Sequence, residues 1–209
     1  MIVLPRLYPI LDAGCFPDAV DLVAVAQELA SAGVTLIQYR NKSGNAREML
    51  EQARELLQGS RAGVPATHAR LIMNDRADLC LAADFDGVHV GQEDLSPESV
   101  RKIIGPGRWL GVSTHNPDQL READLTSADY LAIGPVFSTS SKAKPDPVVG
   151  LEGVRRARAL TRKPLVAIGG ITRANAASVI EAGADSVAVI SDLIREPRKS
   201  AEEFFRILR

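Results

Sequence analysis

Leu165-Val166-Ala167-Ile168-Gly169-Gly170 is a short apolar run that ends in a pair of glycines. Seven further short apolar runs occur along the chain, most of them followed by a polar or glycine cluster, and stretches with helical patterning separate them. Eight buried strands alternating with helices indicate an α/β fold, the (β/α)8 or TIM barrel, whose active site lies at the carboxyl ends of the strands. The other runs are 7–11, 36–37, 71–73, 88–90, 110–112, 130–133 and 187–190.

The segments between the runs carry helix signals. Ser96 precedes Pro97 and Asn116 precedes Pro117, which is typical of a helix N-terminus, and Gly33 predicts the end of the first helix. Helices are predicted over 18–32, 45–57 and 77–82, from 96 and 116 onward, and over 150–160, 173–182 and 201–208. The polar stretch 138–149 is predicted to be a longer loop over the barrel mouth.

The composition bounds the class of protein. The chain has 209 residues with 25 Lys and Arg against 26 Asp and Glu, so we predict one TIM-barrel domain over 1–209 without broad attraction to nucleic acid or membranes. No run approaches the ~20 apolar residues of a membrane span, and the N-terminus lacks a signal peptide pattern. Cys15 and Cys80 make no disulfide framework, and Cys80 is interpreted as an inert thiol on a buried helix face. We expect a cytoplasmic protein and leave open a homo-oligomer.

Two aspartates follow neighbouring strands. Asp75 and Asp94 each come a few residues after a run, so both are expected at the same end of the barrel. Two carboxylates there can hold one Mg²⁺, with substrate phosphate oxygens and water completing the octahedron. The alternative for each acid is an ordinary role as a helix cap or a solvated side chain.

Cations and hydroxyls follow other strands. Arg40 and Lys42 come after the second run, and Thr139-Ser140-Ser141-Lys142 comes after the sixth. Arginine supplies a bidentate fork and lysine a point charge for a diphosphate, and hydroxyls add neutral donors. Taken singly, each would be a solvated loop residue, but together they predict an anion site.

A second anion site is predicted at the last two strands. Gly169-Gly170 follows the seventh run and Ile190-Ser191 closes the eighth, the two positions where such barrels commonly bind phosphate with backbone N–H groups. The alternative is a tight turn that needs glycine for its geometry.

The three histidines are interpreted separately. His68 lies in a polar linker and is expected to be solvated. His89 falls inside the fourth strand, which favours a packed or hydrogen-bonded interior role. His115 follows a strand end and either touches a substrate or caps the next helix. No Ser/His/Asp order and no zinc spacing is evident.

Taken in order, the motifs resemble those of the thiamine phosphate synthase family over nearly the whole chain. The motifs that carry the resemblance are Gln38-Tyr39-Arg40-Asn41-Lys42, Asn74-Asp75, Gly91-Gln92-Glu93-Asp94, Gly111-Val112-Ser113-Thr114-His115, Gly134-Pro135-Val136-Phe137-Ser138-Thr139-Ser140-Ser141-Lys142 and Ile168-Gly169-Gly170-Ile171.

The resemblance implies a magnesium-dependent transferase. It would join 4-amino-2-methyl-5-(diphosphooxymethyl)pyrimidine to a thiazole phosphate, releasing diphosphate, with one Mg²⁺ per active site on Asp75 and Asp94. Arg40, Lys142 and Ser113 would serve catalysis most directly. The implied pyrimidine diphosphate site is Gln38, Tyr39, Arg40, Asn41, Lys42, Asn74, Ser113 and Lys142. The implied thiazole phosphate site is Thr139, Ser140, Ser141, Gly170, Ile190 and Ser191.

The chain also departs from the family pattern. Asn41 stands where the family often has glutamate, Ser141 where it often has threonine, and Lys144 with Pro145-Asp146-Pro147 makes the loop unusual. Competing interpretations are a thiazole tautomerase, a sugar phosphate isomerase or epimerase, and a non-catalytic thiazole phosphate-binding barrel, because one fold hosts many activities.

Overall fold

Eight parallel strands pair in chain order, and the last pairs with the first to close a barrel. The computed structural model describes residues 2–16, 19–61, 69–139 and 146–209. The (β/α)8 barrel expected from the sequence is confirmed. The strands are β1 Leu7–Asp12, β2 Leu36–Arg40, β3 Arg70–Asn74, β4 Gly87–Val90, β5 Trp109–Thr114, β6 Tyr130–Ile133, β7 Leu165–Ile168 and β8 Ser186–Val189.

Helices follow the strands and cover the outside of the barrel. Short 3-10 helices lie at Ala13–Cys15 and Ser191–Leu193. None of the helices within the described ranges is long and apolar enough to cross a membrane. The α-helices are α1 Ala19–Ser31, α2 Ala46–Arg61, α3 Ala77–Ala82, α4 Pro97–Ile104, α5 Pro117–Asp124, α6 Gly150–Leu160, α7 Ala176–Glu181 and α8 Pro197–Ile207.

Alternate side chains of each strand pack into two separate cores. Since successive residues of a strand point to opposite faces, one set fills the barrel and the other meets the helices. Ile37 and Leu131, for example, belong to the larger core under the helices. The set inside the barrel includes Tyr8, Ile10, Leu36, Ile72, Tyr130, Ala132, Val166 and Ala188.

One aspartate motif recurs where the chain enters β4, β6 and β8. Asp86, Asp129 and Asp185 each immediately precede one of these strands or lie at its start. Each carboxylate accepts a hydrogen bond from a backbone N–H of the strand before, at 2.8 Å in all three cases. These three bonds tie neighbouring strands together at the amino-terminal end of the barrel.

The boundaries of several elements differ from the sequence expectation. Strand β2 continues to Arg40, and α2 continues to Arg61. Helix α8 begins at Pro197, not at residue 201, because proline fits the first turn of a helix. Helix α7 begins only at Ala176, after a turn in which the Asn175 side chain accepts a hydrogen bond from the N–H of Thr172.

Cys80 lies on α3 and is buried, as expected, whereas Cys15 is exposed. Burial raises the pKa of the Cys80 thiol to about 12, and its Sγ lies 3.2 Å from the carbonyl oxygen of Gly87. A thiol held in its neutral form among buried groups is unreactive.

Replacing Asp129 by alanine should lower the free energy of unfolding by roughly 1–3 kcal/mol, because the buried N–H of Leu110 loses its carboxylate acceptor. Urea denaturation measures this change. Glu202→Ala is the control, since Glu202 is an exposed side chain 3.8 Å from Arg198 and should matter by less than about 0.5 kcal/mol. Equal effects of the two substitutions would contradict the structural role of the motif.

Candidate active site

Polar side chains face inward at the carboxyl end of the barrel. Asp12 pairs in register with Arg40 across β1 and β2, and their side chains form an ion pair. Asn74 ends β3, and Ser113 lies near the end of β5. Each of these residues lies an even number of positions along its strand from a side chain inside the barrel, so the predicted Arg40, Asn74 and Ser113 share one mouth.

Asp75 holds an uncommon backbone conformation directly after β3. Its φ is 63°, in the left-handed region that a non-glycine residue enters only at a cost of order 1–3 kcal/mol. Its N–H donates to the carbonyl oxygen of His89 at 2.7 Å, and its carboxylate forms an ion pair with Lys42. These contacts stabilise an unfavourable backbone conformation that places the Asp75 carboxylate at the mouth.

Asp94 lies close to Asp75. Burial raises the pKa of the Asp94 carboxyl, and the nearby Asp75 carboxyl raises it further, while a hydrogen bond from the N–H of Gly91 at 2.7 Å acts in the opposite direction. Such a shift is the mark of two acids that compete for one proton or one cation.

Neither acid caps the helix that follows it. Helix α3 starts after Arg76 without a side-chain cap, and α4 is capped by Ser96, whose Oγ accepts from the N–H of Ser99. Helix capping, one of the two ordinary alternatives for Asp75 and Asp94, is therefore removed, and a role as solvated side chains is the other.

The donor set at the mouth fits a magnesium ion that shares its coordination with a substrate. No group of three or more His, Cys, Asp or Glu side chains suited to a metal is found in the described ranges, so protein atoms alone would not complete a shell. One or two carboxylates together with phosphate oxygens and water are the usual magnesium ligands. Asn74 is the residue before Asp75. Its buried Nδ2 has no hydrogen-bond partner among the described residues, which marks it as a donor available to a ligand.

A buried polar chain crosses the barrel below the mouth. Gln38 Nε2 lies 3.0 Å from Tyr8 Oη, which lies 3.0 Å from Tyr130 Oη. Tyr130 Oη is 3.1 Å from Nδ1 of His89, whose Nε2 is 2.8 Å from Ser113 Oγ. The interior role expected for His89 is confirmed. Burial lowers the pKa of His89 to about 4, so the imidazole is neutral at pH 7.

Two predicted residues are not brought to the mouth. Tyr39 points to the outer face of β2, is fully buried, and donates its hydroxyl hydrogen to Gln52 Oε1 of α2 at 2.5 Å. Asn41 bonds to the same Gln52 oxygen, and its Oδ1 accepts from the backbone N–H groups of Ser43 and Gly44. Both side chains hold the segment that leads to Lys42 and are not part of the proposed ligand set.

Both ring nitrogens of His115 contact residues that follow β6. Its Nδ1 lies 2.6 Å from the carbonyl oxygen of Gly134, and its Nε2 lies 3.5 Å from a carboxylate oxygen of Asp146. The cap of α5 is Asn116, whose Oδ1 accepts from two backbone N–H groups, so the His115 ring does not cap that helix. Contact of His115 with a substrate stays a prediction.

The second predicted anion site lies where the loops after β6 and β7 meet. Gly170 has φ +63°, and a Cβ there would lie 2.5 Å from the carbonyl oxygen of Ser138. Gly169 has φ +101°, and a Cβ would lie 2.5 Å from Cβ of Pro135. Glycine is thus required at both positions by conformation and by contact.

An arginine clamp holds the neighbouring loop after β8. Arg173 donates from Nε and Nη2 to the Asp192 carboxylate and forms an ion pair with Glu203 of α8. Those two carboxylates raise the pKa of Arg173 above its ordinary value. The clamp fixes Ser191, an exposed residue next to Asp192, beside Ile190, which packs partly on the barrel interior.

Several predicted residues lie outside the described residues: Ser140, Ser141 and Lys142 of the anion sites, Lys144 and Pro145 of the loop, and His68. Thr139 is described and is partly exposed at the start of this gap. Sequence reasoning missed Asp12 and the Arg173 clamp. The inward parity of β1 was a usable signal for Asp12, whereas the partners of Arg173 are distant in sequence and had none.

A family model described as thiamine monophosphate synthase (TMP-TENI) matches residues 7–193. The chain belongs to this family. Membership confirms the resemblance seen in the motifs, and with it the expected class, a transferase of thiamine biosynthesis.

Relatives of the thiamine monophosphate synthase family support the match. A thiamine-phosphate synthase of Koribacter versatilis is 60% identical over 208 residues, covering 98% of this chain and 96% of the relative. One of Chloroflexus aurantiacus is 45% identical over 190 residues, covering 90% and 85%. The solved thiamine phosphate pyrophosphorylase of Pyrococcus furiosus superposes with a TM-score of 0.84 at 36% identity, covering 97% and 95%.

Asp94→Asn should raise the free energy of unfolding of the metal-free protein at pH 7. A carboxyl whose pKa is raised by folding destabilises the folded state once the pH exceeds that pKa, and asparagine removes the charge while keeping an acceptor for the N–H of Gly91. Urea denaturation with and without Mg²⁺ measures both effects, and Mg²⁺ should stabilise the parent chain but not the variant.

The control for this substitution is Glu93→Gln, which removes an adjacent but exposed charge. A metal-free Asp94→Asn protein no more stable than the parent, with an unchanged response to Mg²⁺, would contradict the acid-pair interpretation.

Proposed function

We propose that the chain condenses 4-amino-2-methyl-5-(diphosphooxymethyl)pyrimidine with a thiazole phosphate to give thiamine phosphate and diphosphate. One observation carries the proposal: the strained Asp75 and the acid Asp94 lie close together at the mouth, Lys42 pairs with Asp75, and the amide nitrogen of Asn74 has no hydrogen-bond partner among the described residues. This arrangement suits a ligand that brings its own negative charge together with a divalent cation.

Two cations of the proposed diphosphate site are paired with carboxylates before any ligand binds. Arg40 is neutralised by Asp12, and Lys42 by Asp75. Asp75 and Asp94 would hold the magnesium ion, which would supply positive charge to the leaving diphosphate, and Lys42 would donate to the diphosphate oxygens. Arg40 would offer its planar fork to the same oxygens, as would Lys142 its ammonium.

The proposed reaction breaks one bond and forms one. The C–O bond between the pyrimidine methylene and the diphosphate breaks, and the electron pair leaves with the diphosphate. The lone pair of the thiazole nitrogen then forms the new C–N bond with the methylene cation. No protein nucleophile is required, so the task of the chain is to bind, orient and neutralise charge. Gln38 and Ser113 would hold the pyrimidine ring in place.

The second anion site is the proposed position of the thiazole phosphate. Gly170 permits the close approach of the β6 and β7 loops, and Arg173 steadies the loop that carries Ile190 and Ser191. Backbone N–H groups of such loops bind phosphate in barrels of this type. Hydroxyls from the stretch after β6 would complete the site: Thr139, Ser140 and Ser141.

The direct test mixes the purified chain with both substrates and Mg²⁺ and follows thiamine phosphate and diphosphate together. The expected result is equal formation of the two products that stops when a chelator removes the metal. Absence of product with retained binding of thiazole phosphate would overturn the proposal in favour of a thiazole tautomerase or a non-catalytic binding barrel.

Gly170→Ala should raise the KM for thiazole phosphate by about tenfold or more, because the methyl group collides with the carbonyl of Ser138 and alanine resists a positive φ. The KM for the pyrimidine diphosphate should change little, and steady-state kinetics with each substrate varied in turn measures both. Gly107→Ala is the control, since no atom lies within 4 Å of its added methyl. A larger effect on the pyrimidine diphosphate would show that the two sites have been assigned the wrong way round.

A further inference from the structure

The buried chain of hydrogen bonds through the barrel includes three side chains that are not proposed to touch the ligand. It links Gln38 of β2 to Ser113 of β5 through Tyr8, Tyr130 and His89. Both tyrosines are almost fully buried within an otherwise apolar interior. Polar groups in such a place are stable only when their hydrogens find acceptors, so the protons of the chain must be ordered.

The direction of the chain follows from its first member. Nε2 of Gln38 only donates, so Tyr8 Oη accepts there, and each phenol has a single hydrogen to give onward. Tyr8 then donates to Tyr130, and Tyr130 donates to Nδ1 of His89. The neutral imidazole therefore carries its proton on Nε2 and donates it to Ser113 Oγ. In this arrangement every bond has a hydrogen, and neither buried phenol keeps a hydrogen without an acceptor.

A glycine in β5 makes room for the central link. A Cβ at Gly111 would lie 2.2 Å from Cζ of Tyr130 and 2.4 Å from Nδ1 of His89. Any other residue at this inward position would push the phenol and the imidazole apart. The contact between Tyr130 and His89 therefore depends on three strands: β4 carries His89, β5 carries Gly111 and β6 carries Tyr130.

We propose that this chain sets the hydrogen-bond polarity of the pyrimidine pocket and so selects an aminopyrimidine over its oxo analogue. Ser113 Oγ, which accepts from His89, has its own hydrogen left to donate to a ligand. Oε1 of Gln38 is left as an acceptor at the other end. Tyr8, Tyr130 and His89 are positioning residues, and the inference rests on the proposed function for the identity of the ligand.

The ligand that matches this polarity has one donor and one acceptor on its ring edge. A 4-aminopyrimidine offers the hydrogens of its amino group and the lone pair of a ring nitrogen. The 4-oxo analogue offers the reverse, a carbonyl oxygen and a ring N–H. The carbonyl oxygen of the oxo analogue would then face Oε1 of Gln38, so that two acceptors meet. Its ring N–H would face the hydroxyl hydrogen of Ser113, so that two donors meet. Unpaired polar groups of this kind give strong discrimination.

The opposite polarity makes a distinct prediction about one atom. It would require the Gln38 amide to turn its oxygen to Tyr8, and every hydrogen of the chain to reverse. His89 would then carry its proton on Nδ1 and accept from Ser113. The tautomer of His89 therefore reports the direction of the whole chain.

The first experiment measures that tautomer in the ligand-free full chain labelled with ¹⁵N-histidine. Long-range ¹⁵N–¹H correlation spectra distinguish the two neutral forms, and loss of one signal set in His89→Gln assigns the residue among the three histidines. The expected result is the neutral Nε2–H form. An Nδ1–H form would overturn the proposal, and neither result depends on turnover.

The second experiment measures dissociation constants of the amino and oxo pyrimidine diphosphates by calorimetry with Mg²⁺ present. Tyr130→Phe removes the donor that holds Nδ1 of His89, and it should lower the amino-over-oxo affinity ratio by roughly tenfold or more. Tyr39→Phe is the matched control, since it deletes a phenol oxygen on the outer face of the barrel and should leave the ratio unchanged.

The outcomes separate this proposal from the proposed function. An unchanged ratio in Tyr130→Phe, or a parent chain that binds both pyrimidines equally or binds neither, would overturn the selection by the chain. A parent chain that prefers the aminopyrimidine, loses that preference in Tyr130→Phe and yet forms no thiamine phosphate would support the selection and contradict the proposed activity.

Discussion

The strict alternation of side chains around a closed parallel barrel is the constraint on which the site depends. Because each strand sends every second residue inward, whatever ends a strand on that parity must fill the barrel mouth. Arg40, Asn74 and Ser113 lie on it, whereas Tyr39, one position away, is buried against α2. A shift of one residue in any strand would exchange a ligand-binding side chain for a core one.

Two acids at the barrel mouth occupy energetically unfavourable environments. Asp75 adopts a strained backbone conformation, and the pKa of Asp94 is raised by burial and by its acid neighbour. Lys42 balances part of that negative charge by pairing with Asp75, while Arg40 pairs with Asp12. Such local costs persist when the surrounding fold over-determines them, and they are typical of functional sites.

The sequence alone predicts the barrel and the strand ends that carry Arg40, Asn74 and Ser113, because apolar run length, capping residues and strand-end clusters are local signals. It places His89 correctly inside β4 for the same reason. It does not predict the clamp of Arg173 on Asp192 and Glu203, or the link from Tyr8 to Tyr130, since these contacts join residues far apart in the chain. The 38–42 motif places Tyr39 in the ligand set, whereas strand parity places it on the outer face of β2, where it is buried.

We propose that the mouth holds two anion sites of different kind, one metal-assisted and one built from backbone amides. Calorimetric titration of each substrate alone, with and without Mg²⁺, tests it most directly. Mg²⁺ should tighten binding of the pyrimidine diphosphate by at least about tenfold and leave binding of the thiazole phosphate unchanged. Equal responses of the two ligands to the metal, or a response of the thiazole phosphate alone, would contradict this division.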